Sequence, residues 1–582
     1  MKTLALVVVW SAMVQTQLVT ATGATKVIEA RLGSYMGSET TAINNEKYWS
    51  FRGIPYAKPP LGQLRFAKPE RLPYQGHFNG VLDATRQGAA CPQNSYFLSP
   101  NEKVSEDCLT LNIFVKNPKY ATINAKKVLV WIHGGAYLFG SSFIYDAGNL
   151  VTEHDVIVVT IHYRLGVLGF LSTEDEASPG NYGLWDQALA IEWVKANIRD
   201  FGGDPDDIAI AGESAGAASV STLSISPYTD GLFTKAYSHS GSATSLFSRY
   251  TDAKGDAFLL AKSLNCTKVA DQADLCSTAS KALIQCLRTK PADVLVPPPE
   301  LLRSTFVPRV DGDFIPRPPI ELLRDSRYLQ SVGFYRRKYL VAINNNEMSA
   351  IEPRYAPAKA NFYASSNLTT SAKDALWRYF AVNGSTAERL EVAEADPVVA
   401  DAVGSWYEDR YPGESGYTQI VYDLHFTIPT FDVLNAVALN RASSAWLLYF
   451  NHYPSFMRGE RRGMIHALDL VYWFDISTDV INSFVGAGAI GTYSKDEMRL
   501  KKLYSSIVAA FIKTGNPTSP LRGITTNPWY RYDQSDAPYL DFNSKPEVLT
   551  HLARSNRILW EKTVPNLVSD LQDPEHRSDD RD

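Results

Sequence analysis

Short, unbroken apolar runs rich in β-branched residues punctuate this chain at residues 127–132, 155–161, 207–212, 339–343 and 445–450. Runs of this length, bounded by polar or turn-forming residues, predict strands covered on both faces. Between the second and third runs, Leu184, Ala188, Ile191, Val194 and Ile198 recur at helical spacing, which predicts a helix over residues 183–201. Strands alternating with helices predict an α/β fold built on a mostly parallel twisted sheet with helices around it. Reactive groups in such sheets lie beyond the carboxyl ends of the strands. The residues that follow each run are therefore where chemistry is to be sought.

One such junction has the required form. The run at residues 207–212 leads into Gly212-Glu213-Ser214-Ala215-Gly216, and the small residues that follow can open a helix. A serine on a tight strand-to-helix turn is pushed into the open, with the helix N-terminus beneath it to favour a developing negative charge. The two glycines avoid collisions that side chains would make there. With Gly and Ser each near ~7% of residues, chance supplies roughly 0.2 such patterns in a chain this long, so the strand before it and the helix after it carry the weight.

A second junction complements it. The run at residues 127–132 ends in His133-Gly134-Gly135-Ala136-Tyr137. A glycine pair after a strand lets backbone N–H groups approach a ligand, and those of Gly135 and Ala136, with that of Ala215, are candidate oxyanion donors.

A serine nucleophile needs a base, and the base needs an orienting carboxylate. Among ten histidines, His466, His425, His452 and His239 all follow or flank apolar segments, and spacing does not choose among them. Glu347 follows the run at residues 339–343 through three asparagines, the position expected of an acid at a strand's carboxyl end.

Composition narrows the class. The 582 residues are 45% hydrophobic and 20% charged, a globular balance, and the net charge of −5 offers no basic field for nucleic acid. No metal-binding or dinucleotide fingerprint occurs in its required context, so neither metal nor organic cofactor is expected. No repeat or long linker divides the chain, which predicts a single domain over residues 22–582 with a charged tail from about residue 566. Residues 1–21 read as a signal peptide, a positive start followed by a short apolar stretch and small residues, with cleavage near Ala21 or as late as Ala24. No other stretch approaches the length needed to span a membrane. These features predict a secreted, extracellular chain. Five cysteines and the sequons at Asn265, Asn367 and Asn383 suit that compartment, whereas the one at Asn516 is blocked by Pro517. Spacing leaves the disulfide connectivity open.

From about residue 26 to about residue 565 the chain resembles the carboxylesterase/cholinesterase family of α/β hydrolases. The resemblance rests on ordered motifs: Phe51-Arg52-Gly53-Ile54-Pro55-Tyr56-Ala57, Glu106-Asp107-Cys108-Leu109-Thr110-Leu111-Asn112, Tyr163-Arg164-Leu165-Gly166, Gly180-Asn181-Tyr182-Gly183-Leu184-Trp185-Asp186-Gln187, and Phe201-Gly202-Gly203-Asp204-Pro205 before the Ser214 turn. It implies Ser214 as nucleophile, Glu347 as acid and His466 as base, with Gly135, Ala136 and Ala215 as the oxyanion hole. It also implies Glu213 as an acidic neighbour of the pocket and Ser240 as a partner of the acid. Disulfides Cys91–Cys108 and Cys266–Cys286 and ion pairs Arg65–Glu106 and Arg164–Asp186 are implied as structural features. The chain departs from the family in having Ala136, Met348 and Ala467 where Gly is common. It lacks cysteines for a third disulfide and has an additional one, Cys276.

The expected partner is a small-molecule carboxylic ester, and oligomeric state is left open. Cholinesterases hold a quaternary ammonium over a tryptophan face in the loop between the first two cysteines. Here that loop has no Trp, and Tyr96 and Phe97 are its aromatics. The stretch resembling the family's acyl pocket keeps Phe306 as its one aromatic and has a small Ser304, which implies room for longer acyl groups. A general carboxylesterase is the expected class. The alternatives are a cholinesterase, a specialised hormone or pheromone esterase, and a non-catalytic adhesion protein of the same fold.

Overall fold

A computed structural model describes residues 24–567 apart from residues 32, 74–79, 95–97, 99–101, 121–122, 249–251, 297–305, 348–396, 412–418, 458–462, 477–479 and 481–492. The expected signal peptide, Tyr96, Phe97, Ser304, Met348, Asn367, Asn383 and the tail beyond residue 567 lie outside the described residues.

The strands are β1 (Thr25–Ala30), β2 (Gly33–Thr41), β3 (Lys47–Pro55), β4 (Val81–Asp83), β5 (Thr110–Val115), β6 (Lys126–Ile132), β7 (Ile157–Ile161), β8 (Gly203–Glu213), β9 (Lys235–His239), β10 (Lys338–Asn344), β11 (Ser444–Phe450), β12 (Pro538–Phe542) and β13 (Glu547–Thr550). They form one 13-stranded sheet in the order β1-β2-β3-β5-β7-β6-β8-β9-β10-β11-β12-β13, with β4 beside β2. Pairing is antiparallel from β1 through β3 and β5 to β7, parallel from β7 to β12, and antiparallel again at β13.

The apolar runs are unbroken because each central strand feeds two cores. Val128, Val130 and Ile132 of β6 pack into one buried cluster, and Leu129 and Trp131 into another. The same division holds in β10, where Tyr339 and Val341 face one way and Leu340 and Ala342 the other. Period-two alternation thus places apolar side chains on both faces, and helices cover each. On one side lie α1 (Gly148–His154) and the helix Lys495–Thr514; on the other lie α2 (Gly166–Phe170), α3 (Tyr182–Asn197) and α4 (Ala215–Ile225). All residues of α4 are buried despite its serines and threonine. Thr222 and Ser224 hydroxyls donate to carbonyls four residues back, each at 2.8 Å, so they carry no unmet polar group into the core.

The five predicted runs are all strands, with small differences at their ends. β7 begins at Ile157, because Asp155 closes α1 in a left-handed conformation (φ 49°). The predicted helix over residues 183–201 is α3, with a tighter turn at Ile198–Phe201. Both expected disulfides, Cys91–Cys108 and Cys266–Cys286, are formed, and Cys276 is a free, exposed thiol. Arg164 and Asp186 make a buried two-point pair at 2.7 and 2.8 Å, and Arg65 pairs with Glu106 at 2.7 Å. Among the described residues, no helix is long and apolar enough to cross a membrane.

Candidate active site

Ser214 stands between β8 and α4 with φ 58° and ψ −123°, a backbone conformation that L-residues rarely adopt. Its amide donates to the His239 carbonyl (2.9 Å), and its carbonyl accepts the Ala218 amide (2.9 Å), so the turn is fixed from both sides. The flanking glycines are required by space. A Cβ on Gly216 would lie 2.1 Å from the Ile132 carbonyl oxygen, and one on Gly212 would lie 2.4 Å from the Gly216 carbonyl carbon. Among the described residues, the Ser214 hydroxyl makes no hydrogen bond in this conformation.

The loop after β6 presses directly on this turn: a Cβ on Gly134 would meet Glu213 O at 2.7 Å and Ser214 Cβ at 3.0 Å. The loop then coils through Gly135 (φ 108°), Ala136 (φ 54°) and Tyr137 (φ 62°), with Leu138 and Phe139 amides both donating to the Gly135 carbonyl. The amides of Gly135 and Ala136 donate to no backbone carbonyl among the described residues, and that of Ala215 opens α4, where the first N–H groups lack intrahelical partners. Ala136 carries its methyl group in the left-handed region. So does Ala467, with φ 64°, beside His466. The family's preference for Gly at both positions follows from that geometry.

Glu347 and His466 come together because their loops are stitched. Asn346, just beyond β10, forms a parallel bridge with Ile465 in the loop that follows β11, and Asn345 Oδ1 accepts the Met464 amide (2.7 Å). His466 Nδ1 lies 2.7 Å from Glu347 Oε2. The other Glu347 oxygen accepts the Asn344 amide at 2.7 Å and the Ser240 hydroxyl, so this fully buried carboxylate is saturated with donors. His466 Nε2 lies 3.1 Å from Glu213 Oε1, and Phe426 packs at 5.2 Å between ring centroids. Burial opposes a charged imidazole, but Glu213, Glu347 and then Asp469 outweigh it and lift the His466 pKa above its ordinary value. Burial lifts the Glu213 carboxyl too, with His466 pulling it the other way.

The other candidate histidines have different partners. His452 Nε2 is 2.8 Å from Glu497, His425 stacks on Phe247, and His239 lies against Asp469. Phe306 is buried in the core, and no hydrogen bond or ring contact joins it to Ser214 or His466 among the described residues. Asn265 is exposed just beyond the helix Ala253–Ser263. Sequence reasoning missed Asn344, whose amide nitrogen reaches both the Ile465 carbonyl (3.2 Å) and Asp469 Oδ1 (2.9 Å). It lay in an asparagine triplet read as loop, although it is the last residue of β10.

Residues 24–560 match the Carboxylesterase family. The chain belongs to this family. Its sheet and covering helices are the α/β-hydrolase fold. It is 33% identical to the cocaine esterase of Homo sapiens over 553 residues, which is 91% of this chain and 89% of that one. It is 32% identical to the acylcarnitine hydrolase of Mus musculus, over 90% of this chain and 88% of that one. It is also 30% identical to neuroligin-2 of Homo sapiens, over 90% of this chain and 66% of that one. Carboxylesterase relatives over this span support a hydrolase of the same family.

Proposed function

We propose that the chain is a secreted serine carboxylesterase that hydrolyses small carboxylic esters through an acyl-enzyme intermediate. The observation that carries this reading is the 2.7 Å contact of Glu347 with His466 on loops stitched beside the Ser214 turn. His466 takes the Ser214 proton as the hydroxyl oxygen attacks the ester carbonyl. Glu347 holds Nδ1–H and stabilises the imidazolium that forms. The amides of Gly135, Ala136 and Ala215 receive the oxyanion, a contribution typically worth ~3–4 kcal/mol of barrier per donor. His466 then protonates the leaving alkoxide, and water activated by the same imidazole releases the acid. In this reading residues 22–582 work as one domain after removal of the signal peptide, and Asn265, Asn367 and Asn383 carry glycans. Ser304 and Phe306 belong to the acyl-pocket stretch that the resemblance implies, and Ser240 steadies the acid.

The neuroligin-2 match keeps a non-catalytic reading in play, and a substrate panel decides between them. Hydrolysis of p-nitrophenyl acetate, butyrate and longer esters is expected, exceeding that of choline esters, because the loop between Cys91 and Cys108 has no Trp. No hydrolysis of any ester above background favours the adhesion reading, and dominance of choline esters overturns the substrate assignment.

The pH dependence gives a second test. The reaction needs neutral His466, so kcat/KM falls on the acid side, with its limb above the ordinary imidazole value of about 6.5. Glu213→Gln removes the carboxylate facing Nε2 and is expected to move the limb down by about one unit or more, read from the pH profile. An unmoved limb would show that Glu213 does not charge the base.

A further inference from the structure

Beneath the candidate triad lies a second imidazole–carboxylate pair. His239 closes β9, and Asp469 sits three residues beyond His466 in the turn Leu468–Tyr472. Both side chains are fully buried, with His239 Nδ1 2.9 Å from Asp469 Oδ2. The second ring nitrogen, Nε2, lies 3.1 Å from Asn344 Oδ1. The Asn344 amide cannot be turned over, because its nitrogen already donates to Asp469 Oδ1 and to the Ile465 carbonyl. Its oxygen must therefore accept, and His239 Nε2 carries a hydrogen. At 2.9 Å, Nδ1 and Oδ2 would repel as bare lone pairs, so a proton resides with one of them. The hydroxyls of Tyr237 and Tyr504 lie 3.2 Å from Nδ1 and 2.7 Å from each other, and burial keeps both phenols neutral.

We propose that His239 is a buried imidazolium which neutralises Asp469 and thereby acts as a positioning residue for His466. This rests on the esterase reading above. Three carboxylates, Glu213, Glu347 and Asp469, share the buried region with the two imidazoles. Were Asp469 uncompensated, its charge would bind a proton more tightly to His466 and hold the base in its inactive form at neutral pH. Paired with His239, Asp469 raises the His466 pKa less than it would alone, and its carboxylate is free to tie the turn bearing His466 to Asn344. Asn344 in turn donates its backbone amide to Glu347, so one network holds acid and base loops in register. The groups facing His239 are Asp469 from the turn, Asn344 from β10, Tyr237 from its own strand and Tyr504 from the helix Lys495–Thr514. Burial disfavours the charged ring, but Asp469 first, then Glu347 and Glu213, raise its pKa above the ordinary value.

A double-mutant cycle read by pH profile tests the proposal. The four proteins are wild type, His239→Gln, Asp469→Asn and the double variant, assayed with p-nitrophenyl butyrate. His239→Gln leaves Asp469 as a lone charge, so the acid limb of kcat/KM is expected to move up by about one unit. Asp469→Asn lets His239 shed its proton, so the limb moves little. The double variant, lacking both charges, is expected to return close to wild type. A limb unmoved in His239→Gln, or moved equally in the double variant, overturns the proposal. Nitrogen NMR of histidine-labelled wild type reads the same state without activity or single variants: the ring absent from the double variant is expected with both nitrogens protonated at pH 8, and one bare nitrogen overturns the proposal. An inactive wild type with the doubly protonated ring would sink the esterase reading alone, and an active one with a bare nitrogen only the pair.

Discussion

Ser214→Ala is expected to lower kcat/KM for p-nitrophenyl butyrate on the order of 10⁴- to 10⁶-fold while the melting temperature stays within a degree or two. The size follows from what is removed. Without the hydroxyl there is no atom to form the acyl-enzyme, and His466 and the oxyanion donors act only on water. A 10⁶-fold loss corresponds to about 8 kcal/mol of barrier. The small effect on stability follows from the turn. Alanine and serine bear the same cost at φ 58°, and among the described residues the hydroxyl makes no hydrogen bond whose loss would strand a partner. The turn is held by backbone bonds to His239 and Ala218, which survive the substitution. Parallel measurement of hydrolysis and thermal unfolding checks both halves. Activity within tenfold of wild type would place the nucleophile elsewhere.

The parts of the fold legible in the sequence are those where one physical signal dominates. β6, β7, β8, β10 and β11 are buried on both faces, so their apolar runs are continuous and stand out. β9 is just as buried, yet it escaped, because Lys235-Ala-Tyr-Ser-His239 interrupts the apolar pattern with polar residues that are buried in pairs: Lys235 with Asp207 and His239 with Asp469. The outer strands β1 to β4 escaped for another reason. They are partly exposed at the sheet's edge, and Gly33, Gly37 and several serines and threonines dilute their pattern. For the site, the Ser214 turn and the Gly134-Gly135 loop were legible because both are built from consecutive residues. Local pattern placed Glu347 at a strand's carboxyl end but left His466 among four histidines, since the contact joining acid and base spans 119 residues. Only the family resemblance singled out His466 and gave Glu347 its role. The His239–Asp469–Asn344 network belongs to neither class. Its members lie on three separate segments, and none is marked by its neighbours in sequence.

Glu347→Gln is expected to lower kcat/KM by roughly 10⁴-fold, close to the loss of the nucleophile itself, although it changes one oxygen to nitrogen. The surroundings of the carboxylate dictate this. One oxygen receives two donors, the Asn344 amide and the Ser240 hydroxyl, and the other faces His466 Nδ1 at 2.7 Å. In the variant the amide oxygen must take the side with two donors, since turning the NH₂ toward them would leave buried donors unsatisfied at about 1–3 kcal/mol each. The NH₂ group then faces Nδ1 and donates to it, so Nδ1 becomes the acceptor and the proton moves to Nε2. That tautomer cannot take the Ser214 proton, and the imidazolium loses the carboxylate that stabilised it. Two readings of the pH profile follow from the same change. The rate is low at every pH, because the tautomer and not the protonation state is wrong. The residual acid limb lies below that of wild type, because a charge that raised the His466 pKa has gone. A loss smaller than tenfold would show that Glu347 does not orient the base. An acid limb that moves down while the high-pH plateau is kept would show that it sets the charge of His466 and leaves its orientation to other groups.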